Sequence, residues 1–422
     1  MTVNYNSYFD IRDNTLFLDN RSLPELARKY GTPVIIYSKR KIQENVKKLQ
    51  SAFNSDYTSI HFSIKSNYNP SILRILRGMG VGADAATLNE VQLSLRIGFE
   101  PGKIIASPNN LSRDDLVKIS RLGVVMNFDD ISQLEAVGNE LPEVVSFRIN
   151  PGIGRGEFKS ITTGGKGSKF GMPPEAATKA YGLAKKAGAK RFGIHMMTGS
   201  NVLDATFFKL SSDLFFDVAE RIATENEIDF EFLDLGGGLG IPYAPKDEEL
   251  DIGLVASHIM ENFEKRRSLG LFRNSKLVLE PGRFIVANAG VLLSTVTDVK
   301  EYDELFVGTD VSMNSLLRVP LYGAVHPIIV ANKVNDGRNT KTNLVGQVCE
   351  NTDILFKSLF LPELKVGDTI AVLNSGAYIS SMASNYNLLR RPSEVLIDGD
   401  REIVIKRQET LDDMLATFQD SQ

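Results

Sequence analysis

Between residues 60 and 282 one pattern recurs: a short, near-continuously apolar run, then a stretch with helical spacing. The runs are IHFSIK (60–65), VGADAA (81–86), KIIASP (103–108), VVMNF (124–128), EVVSFRIN (143–150), RFGIHMM (191–197), FEFLDLG (230–236) and KLVLEPG (276–282). Helical stretches between them include Pro70–Arg77, Thr87–Ile97, Arg113–Arg121, Ile131–Val137, Pro174–Lys185 and Leu203–Ala223. A strand apolar on both faces must be covered on both faces, which a parallel sheet clothed in helices achieves. Eight such units over roughly 220 residues fit a closed TIM barrel, usually about 250 residues long. An open doubly wound sheet would place ligands at the same strand ends, but eight consecutive units favour closure.

Polar residues follow that geometry. Lys65, Asp84, Ser107, Asn127, Arg148, Asn150, His195, Gly236 and Glu280 fall at or just past the C-terminal ends of their runs. That rim is where such barrels carry chemistry. The His61–Lys65 run is followed by Asn69-Pro70, a helix cap and a residue favoured at the first helical position.

After Arg283 helical periodicity gives way to short β-branched runs punctuated by Gly, Asp and Asn: VLLSTVTDV, LFVGTDV, HPIIVANKV, TNLVGQV, DTIAVLN and EVLID-REIVIKR. This predicts an antiparallel β domain. It is expected to include strands from the first 33 residues, where Thr15–Leu18 reads as a strand and Leu23–Tyr30 as a helix. The expected boundaries are 34–285 for the barrel, and 1–33 plus 286–422 for the β domain.

Composition narrows the function. The 422 residues are 42% hydrophobic with a net charge of −4, so nothing suggests nucleic acid or an anionic membrane as partner. No apolar run reaches membrane-spanning length, and the polar N-terminus is unlike a secretory signal. The single cysteine, Cys349, excludes an intrachain disulfide and points to a cytoplasmic setting. The four histidines show no metal-ligand spacing, and no metal is expected.

Several motifs carry chemistry. Lys65 at a strand end either snorkels to solvent or is the amine of a Schiff base in a closed pocket. Gly236, Gly237, Gly238, Leu239 and Gly240 follow strand seven, where backbone amides can cradle phosphate; a tight turn is the bland alternative. Glu280-Pro281-Gly282-Arg283 closes strand eight. It is either a structural ion pair or a cofactor clamp, with Glu280 at a protonated ring nitrogen and Arg283 at an anion. Gly199-Ser200-Asn201 after strand six is a second possible phosphate contact, or a turn. Thr163–Gly171, rich in Gly and Lys, reads as a substrate loop or a solvated one. Cys349 alone would read as a small buried hydrophobe. A strand-end lysine, a phosphate cradle and a Glu–Arg pair on one rim suggest pyridoxal 5′-phosphate.

The whole set resembles the fold-type III decarboxylases of basic amino acids, and within them the diaminopimelate decarboxylases, related to the ornithine and arginine decarboxylases. The resemblance runs from about residue 10 to about residue 415. It rests on IKSNYN, GADAATLNE, RINPG, TGGKGSKFG, GIHMMTGSN, LDLGGGLGIPY, LEPGR, RVPLYGAVHPI, VCENTDIL, GAYISSMASNYN and EVLIDG. It implies an alanine racemase-like (β/α)8 TIM barrel of the α/β class, with a second, mostly antiparallel β-barrel or sandwich domain. It implies that Lys65 holds pyridoxal 5′-phosphate covalently, with Asp84 and His195 beside it. Gly236–Gly240, Ser200, Gly282, Arg283 and Tyr378 match the phosphate-binding positions, and Glu280 matches the residue at the pyridine nitrogen. Arg283, Arg318, Tyr322, Glu350 and Tyr378 match contacts to a small amino-acid substrate. Cys349 matches a proton donor supplied across a head-to-tail homodimer with shared active sites.

The implied activity is decarboxylation of meso-2,6-diaminopimelate to L-lysine, with lysine, ornithine or a related diamino acid as the alternative. Racemases of the related type carry arginine at the ring nitrogen, where this chain has Glu280. Catalytically silent relatives lose the lysine or the cysteine, and both are present here. There are departures. Met197 stands where members carry a ring-stacking histidine, Glu157-Phe158 where they carry another histidine, RVPLY replaces RPxxY, and Asn351 replaces a serine. These bear on substrate choice.

Overall fold

The structure is a computed structural model that describes residues 9–157, 164–165 and 167–419. Phe158, Thr163 and Lys166 lie outside the described residues. The chain forms two compact units. One comprises Gln43–Pro242 and Glu248–Ile285; the other comprises Tyr243–Asp247 and the described residues of Met1–Ile42 and Val286–Gln422.

In the first unit eight parallel strands close into a barrel. They are Thr58–Ser63, Gly82–Ala85, Ile104–Ala106, Val125–Phe128, Val144–Ile149, Arg191–Met196, Phe230–Asp234 and Lys276–Leu279. Each pairs with the next, and the last pairs with the first. All eight are the runs expected from sequence. The helices start where capping chemistry dictates. The Asn69 side chain accepts from Ser71 N and opens Pro70–Gly78, and the Thr87 side chain accepts from Glu90 N and opens Leu88–Ile97. Further helices run over Arg113–Ser120, Ile131–Val137, Pro174–Lys186, Ala205–Asn226 and Ile252–Ser268.

The barrel interior is filled by side chains. Ile105, Val144, Phe232 and Val278 form one buried cluster. Gly193 makes room for the Phe232 ring, because a Cβ there would lie 2.1 Å from it. On the outer face, Tyr181 of a covering helix meets Phe147 and Phe230 edge-on and donates to the Gly193 carbonyl at 2.6 Å.

The second unit is a nine-stranded sheet centred on Gly290–Glu301. The first half of that strand pairs antiparallel with Val34–Ser38 and Thr369–Val372; beyond a register shift at Val296, its second half pairs with Leu305–Thr309. Two pairings in this unit are parallel: Val34–Ser38 with Ser393–Asp398, and Leu305–Thr309 with Thr340–Val345. Phe9–Arg12, Thr15–Leu18 and Arg21–Ser22 make a small antiparallel sheet. Leu16, Leu18, Leu23 and Leu26 share one core with Val291, Leu293, Ala371 and Val395. The expected start of the barrel at residue 34 is therefore corrected. Val34–Ser38 is buried along its whole length between two sheet neighbours, and the barrel closes without it.

Candidate active site

The first barrel strand ends at Ser63, and Lys65 lies in a 3₁₀ turn over Ile64–Ser66. Its side chain is half exposed, with Nζ 4.0 Å from Asp84 Oδ2. The turn lifts the lysine clear of the strand. Ser63 Oγ donates to Asp84 Oδ2 at 2.7 Å and stands 2.9 Å from the Glu280 carbonyl, which ties strands one, two and eight together. Burial and the Glu280 charge push the Asp84 carboxyl up to about 7, against the pull of Lys65 and Ser63.

Deeper in the barrel, His195 Nε2 donates to Glu280 Oε2 at 3.1 Å, both groups being buried. Asp234, at the end of strand seven, joins them: one ligand atom from each of the three lies within 4.8 Å of the others. Burial pushes His195 toward its neutral form, against the attraction of Glu280. Burial also opposes ionisation of Glu280, but His195, Lys65 and the neighbouring Asp234 overcome it and hold the carboxyl at about 2. Asp234 goes the other way, driven well up by burial and by the Glu280 charge.

The glycine loop packs against these groups. Gly236 has φ +68°, and its N–H bonds Asp234 Oδ1 at 2.8 Å. The Gly237 N–H points to Met197 Sδ at 3.1 Å, and the Gly240 N–H to the Val202 carbonyl at 3.0 Å. The loop is therefore not an open cradle of five amides. Gly237, whose thioether partner is a weak acceptor, is the most readily recruited of the engaged three. Asn150, just past strand five, accepts from Gly165 N at 2.9 Å and donates to the Phe170 carbonyl at 3.3 Å, tying in the Gly- and Lys-rich loop.

The remaining expected residues lie in the sheet unit. Arg318 is 1% exposed; its Nη1 donates to His326 Nε2 at 2.9 Å, and its guanidinium sits 5.1 Å from the Tyr243 ring centre. Tyr322 ends the same short helix, Arg318–Tyr322. Cys349 and Glu350 are exposed on one turn. Asn387 Nδ2 donates to Cys349 Sγ at 3.0 Å, and the Tyr386 hydroxyl donates to Glu350 Oε1 at 2.6 Å, so the SNYN and CEN motifs meet side by side. Cys349 is thus not the buried hydrophobe its isolation suggested. Tyr378 has a φ of +61°, a strained setting for a non-glycine residue.

Residues 39–287 match the pyridoxal-binding domain of the pyridoxal-dependent decarboxylases. The chain belongs to this family. Curated relatives include the diaminopimelate decarboxylase of Thermoplasma acidophilum, 41% identical over 95% of this chain and 96% of that one. That of Methanothermobacter thermautotrophicus is 38% identical over 95% and 94%. Among solved structures, diaminopimelate decarboxylase from M. jannaschii in co-complex with L-lysine superposes with a TM-score of 0.89 at 30% identity. It covers 99% of this chain and 98% of its own.

A pyridoxal-dependent decarboxylase uses pyridoxal 5′-phosphate, and the barrel residues fit it. Glu280 Oε1 is buried and has no hydrogen-bond partner, as suits an ionised acceptor awaiting a protonated ring nitrogen. Sequence reasoning missed Asp234, His326 and Tyr243. Asp234 falls two residues before Gly236, inside the LDLGGG motif; His326 lies in the RVPLYGAVHPI motif with Arg318. All three, Tyr243 closing the LDLGGGLGIPY motif, were within quoted motifs, but only the fold gives them partners.

Proposed function

We propose that the chain decarboxylates meso-2,6-diaminopimelate to L-lysine and CO2. The observation that carries the substrate is Arg318, a buried guanidinium held by His326 and faced by Tyr243. It suits a distal carboxylate, which lysine and ornithine lack.

When bound, the cofactor supplies an electron sink for the bond to the substrate α-carboxylate. Lys65 Nζ would hold it covalently. Glu280, ionised, would accept from its ring N–H. The amides of Gly237–Leu239, with Ser200, Gly282, Arg283 and Tyr378, would bind its phosphate, and Asp84 balances the Lys65 charge. Arg283, Arg318, Tyr322, Glu350 and Tyr378 orient the substrate ends. The thiol of Cys349 of the partner subunit gives the proton that replaces CO2 at the α-carbon. The working form is then a homodimer with shared sites. A lone, exposed cysteine suits the reducing cytoplasm, and among the described residues no helix is long and apolar enough to cross a membrane.

The test is CO2 release from meso-diaminopimelate, lysine and ornithine, each supplied to the purified, cofactor-loaded protein. Preference for diaminopimelate is expected. Preference for lysine or ornithine would overturn the reading and point to Met197 and Phe158. Borohydride trapping followed by peptide mapping should label Lys65 and no other lysine.

A further inference from the structure

Asp234 is a fully buried carboxyl for which the proposed reaction has no use. Its Oδ1 accepts the Gly236 N–H, while Oδ2 has no partner. Close by, Glu280 Oε2 accepts from His195 and Oε1 has no partner. Two buried acceptors side by side, each lacking a donor, are costly. Two ionised carboxylates there would add like-charge repulsion at low dielectric.

Two neutral donors nearby are already used. The His195 Nε2–H serves Glu280, and Ser63 serves Asp84. A second proton on His195 would sit on Nδ1, which is buried and has no acceptor. A proton of its own would satisfy Asp234 Oδ2.

We infer that Asp234 is held as the neutral acid and donates its Oδ2–H to the Glu280 carboxylate, making it a positioning residue for the group that meets the cofactor ring. This rests on the reading that Glu280 faces the ring nitrogen. Glu280 keeps lone pairs for that N–H, because a carboxylate offers several acceptor positions. Charges and dipoles from every side agree. Lys65 and His195 favour the anion on Glu280, whereas Asp234 meets the negative Glu280 and Asp84. Arg148, also close to His195, disfavours a charge on the imidazole. A carboxylate that accepts from both His195 and Asp234 is a weak base, so the ring proton stays on nitrogen.

The proton, not the charge, then matters at position 234. Asp234→Asn supplies the same acceptor to Gly236 and an N–H to Glu280; Asp234→Ala supplies neither. Infrared spectra of the cofactor-free protein at about pH 9, above the value near 7 to which Asp84 is pushed, should show a deuteration-sensitive carboxylic-acid band. Asp234→Asn should remove it. Asp234→Asn should bind pyridoxal 5′-phosphate within about threefold of wild type, and Asp234→Ala at least about tenfold more weakly. Absence of the band in wild type, its survival in Asp234→Asn, or equal weakening by the two variants overturns the inference. So does a stoichiometric divalent metal in the purified protein, since His195, Asp234 and Glu280 would then be its ligands. The wild-type spectrum stands even if Asp234→Ala fails to fold. Substrate preference enters neither measurement, so failure of the diaminopimelate reading would leave this result intact.

Discussion

Arg318 and His326 form a buried pair with an unambiguous donor. A guanidinium can only donate, so Nη1–H points to His326 Nε2 across 2.9 Å, and the imidazole proton must sit on Nδ1. There it donates to the Leu373 carbonyl, also at 2.9 Å. A neutral histidine anchored just past the strand Thr369–Val372 thus fixes the angle of the guanidinium.

Arg318→Met should lower kcat/KM for diaminopimelate by on the order of a hundredfold, if a buried charged contact contributes about 3 kcal/mol. Any turnover of lysine should change far less, and the cofactor absorbance not at all. His326→Leu should raise KM about tenfold with kcat little changed, because the cation is retained but no longer aimed. His326→Gln, which can accept from Arg318 and donate to Leu373, should restore most of it. Steady-state kinetics on both substrates check this.

Gly237→Ala tests the loop. A Cβ there would lie 2.3 Å from the Glu280 carbonyl oxygen, a backbone atom with no room to yield. The loop or the end of strand eight must shift, at a cost of about 1–3 kcal/mol. The dissociation constant for pyridoxal 5′-phosphate should rise at least about tenfold, measured by equilibrium dialysis.

Cys349 tests the shared site. Lys65→Ala and Cys349→Ala proteins, each inactive alone, should regain part of the activity when mixed and allowed to exchange subunits. Some mixed dimers would then hold one intact site. Exchange without recovery would place the cysteine's action in its own chain or nowhere.

His61 sets an acid-side limit. It faces the barrel interior with Ser59 and Ser63, and burial lowers its pKa from 6.5 to about 4. The unfolded chain therefore binds a proton between those values that the folded chain refuses. Its share of stability is intact above 6.5, is lost as pH falls toward 4, and changes no further below. The loss amounts to about 3 kcal/mol. Asp84, raised to about 7, works in the opposite direction, losing stability as pH rises from 3.8. The difference between wild type and His61→Asn isolates the histidine: urea midpoints should diverge between pH 6.5 and 4, with the variant losing less.

The barrel was legible because every strand is buried on both faces, so each announces itself as an apolar run. Val34–Ser38 looks the same for the same reason, yet its neighbours are Gly290–Leu293 and Ser393–Ile397. An apolar run shows that a strand is covered, not what covers it. Glu280 and His195 could be placed at strand ends by counting. Their bond to each other, the third carboxyl beside them and the His326 behind Arg318 depend on strands dozens of residues apart meeting in space. The Met197 thioether over Gly237 was likewise beyond reach, since the sequence registers only that a histidine is missing.

Lys65 stands outside the barrel ladder, in a short turn past the last paired residue of strand one. Its side chain is half exposed and lies outside the buried apolar core. Replacing the lysine would leave the barrel's buried core as it is, so the reaction could be lost without the fold.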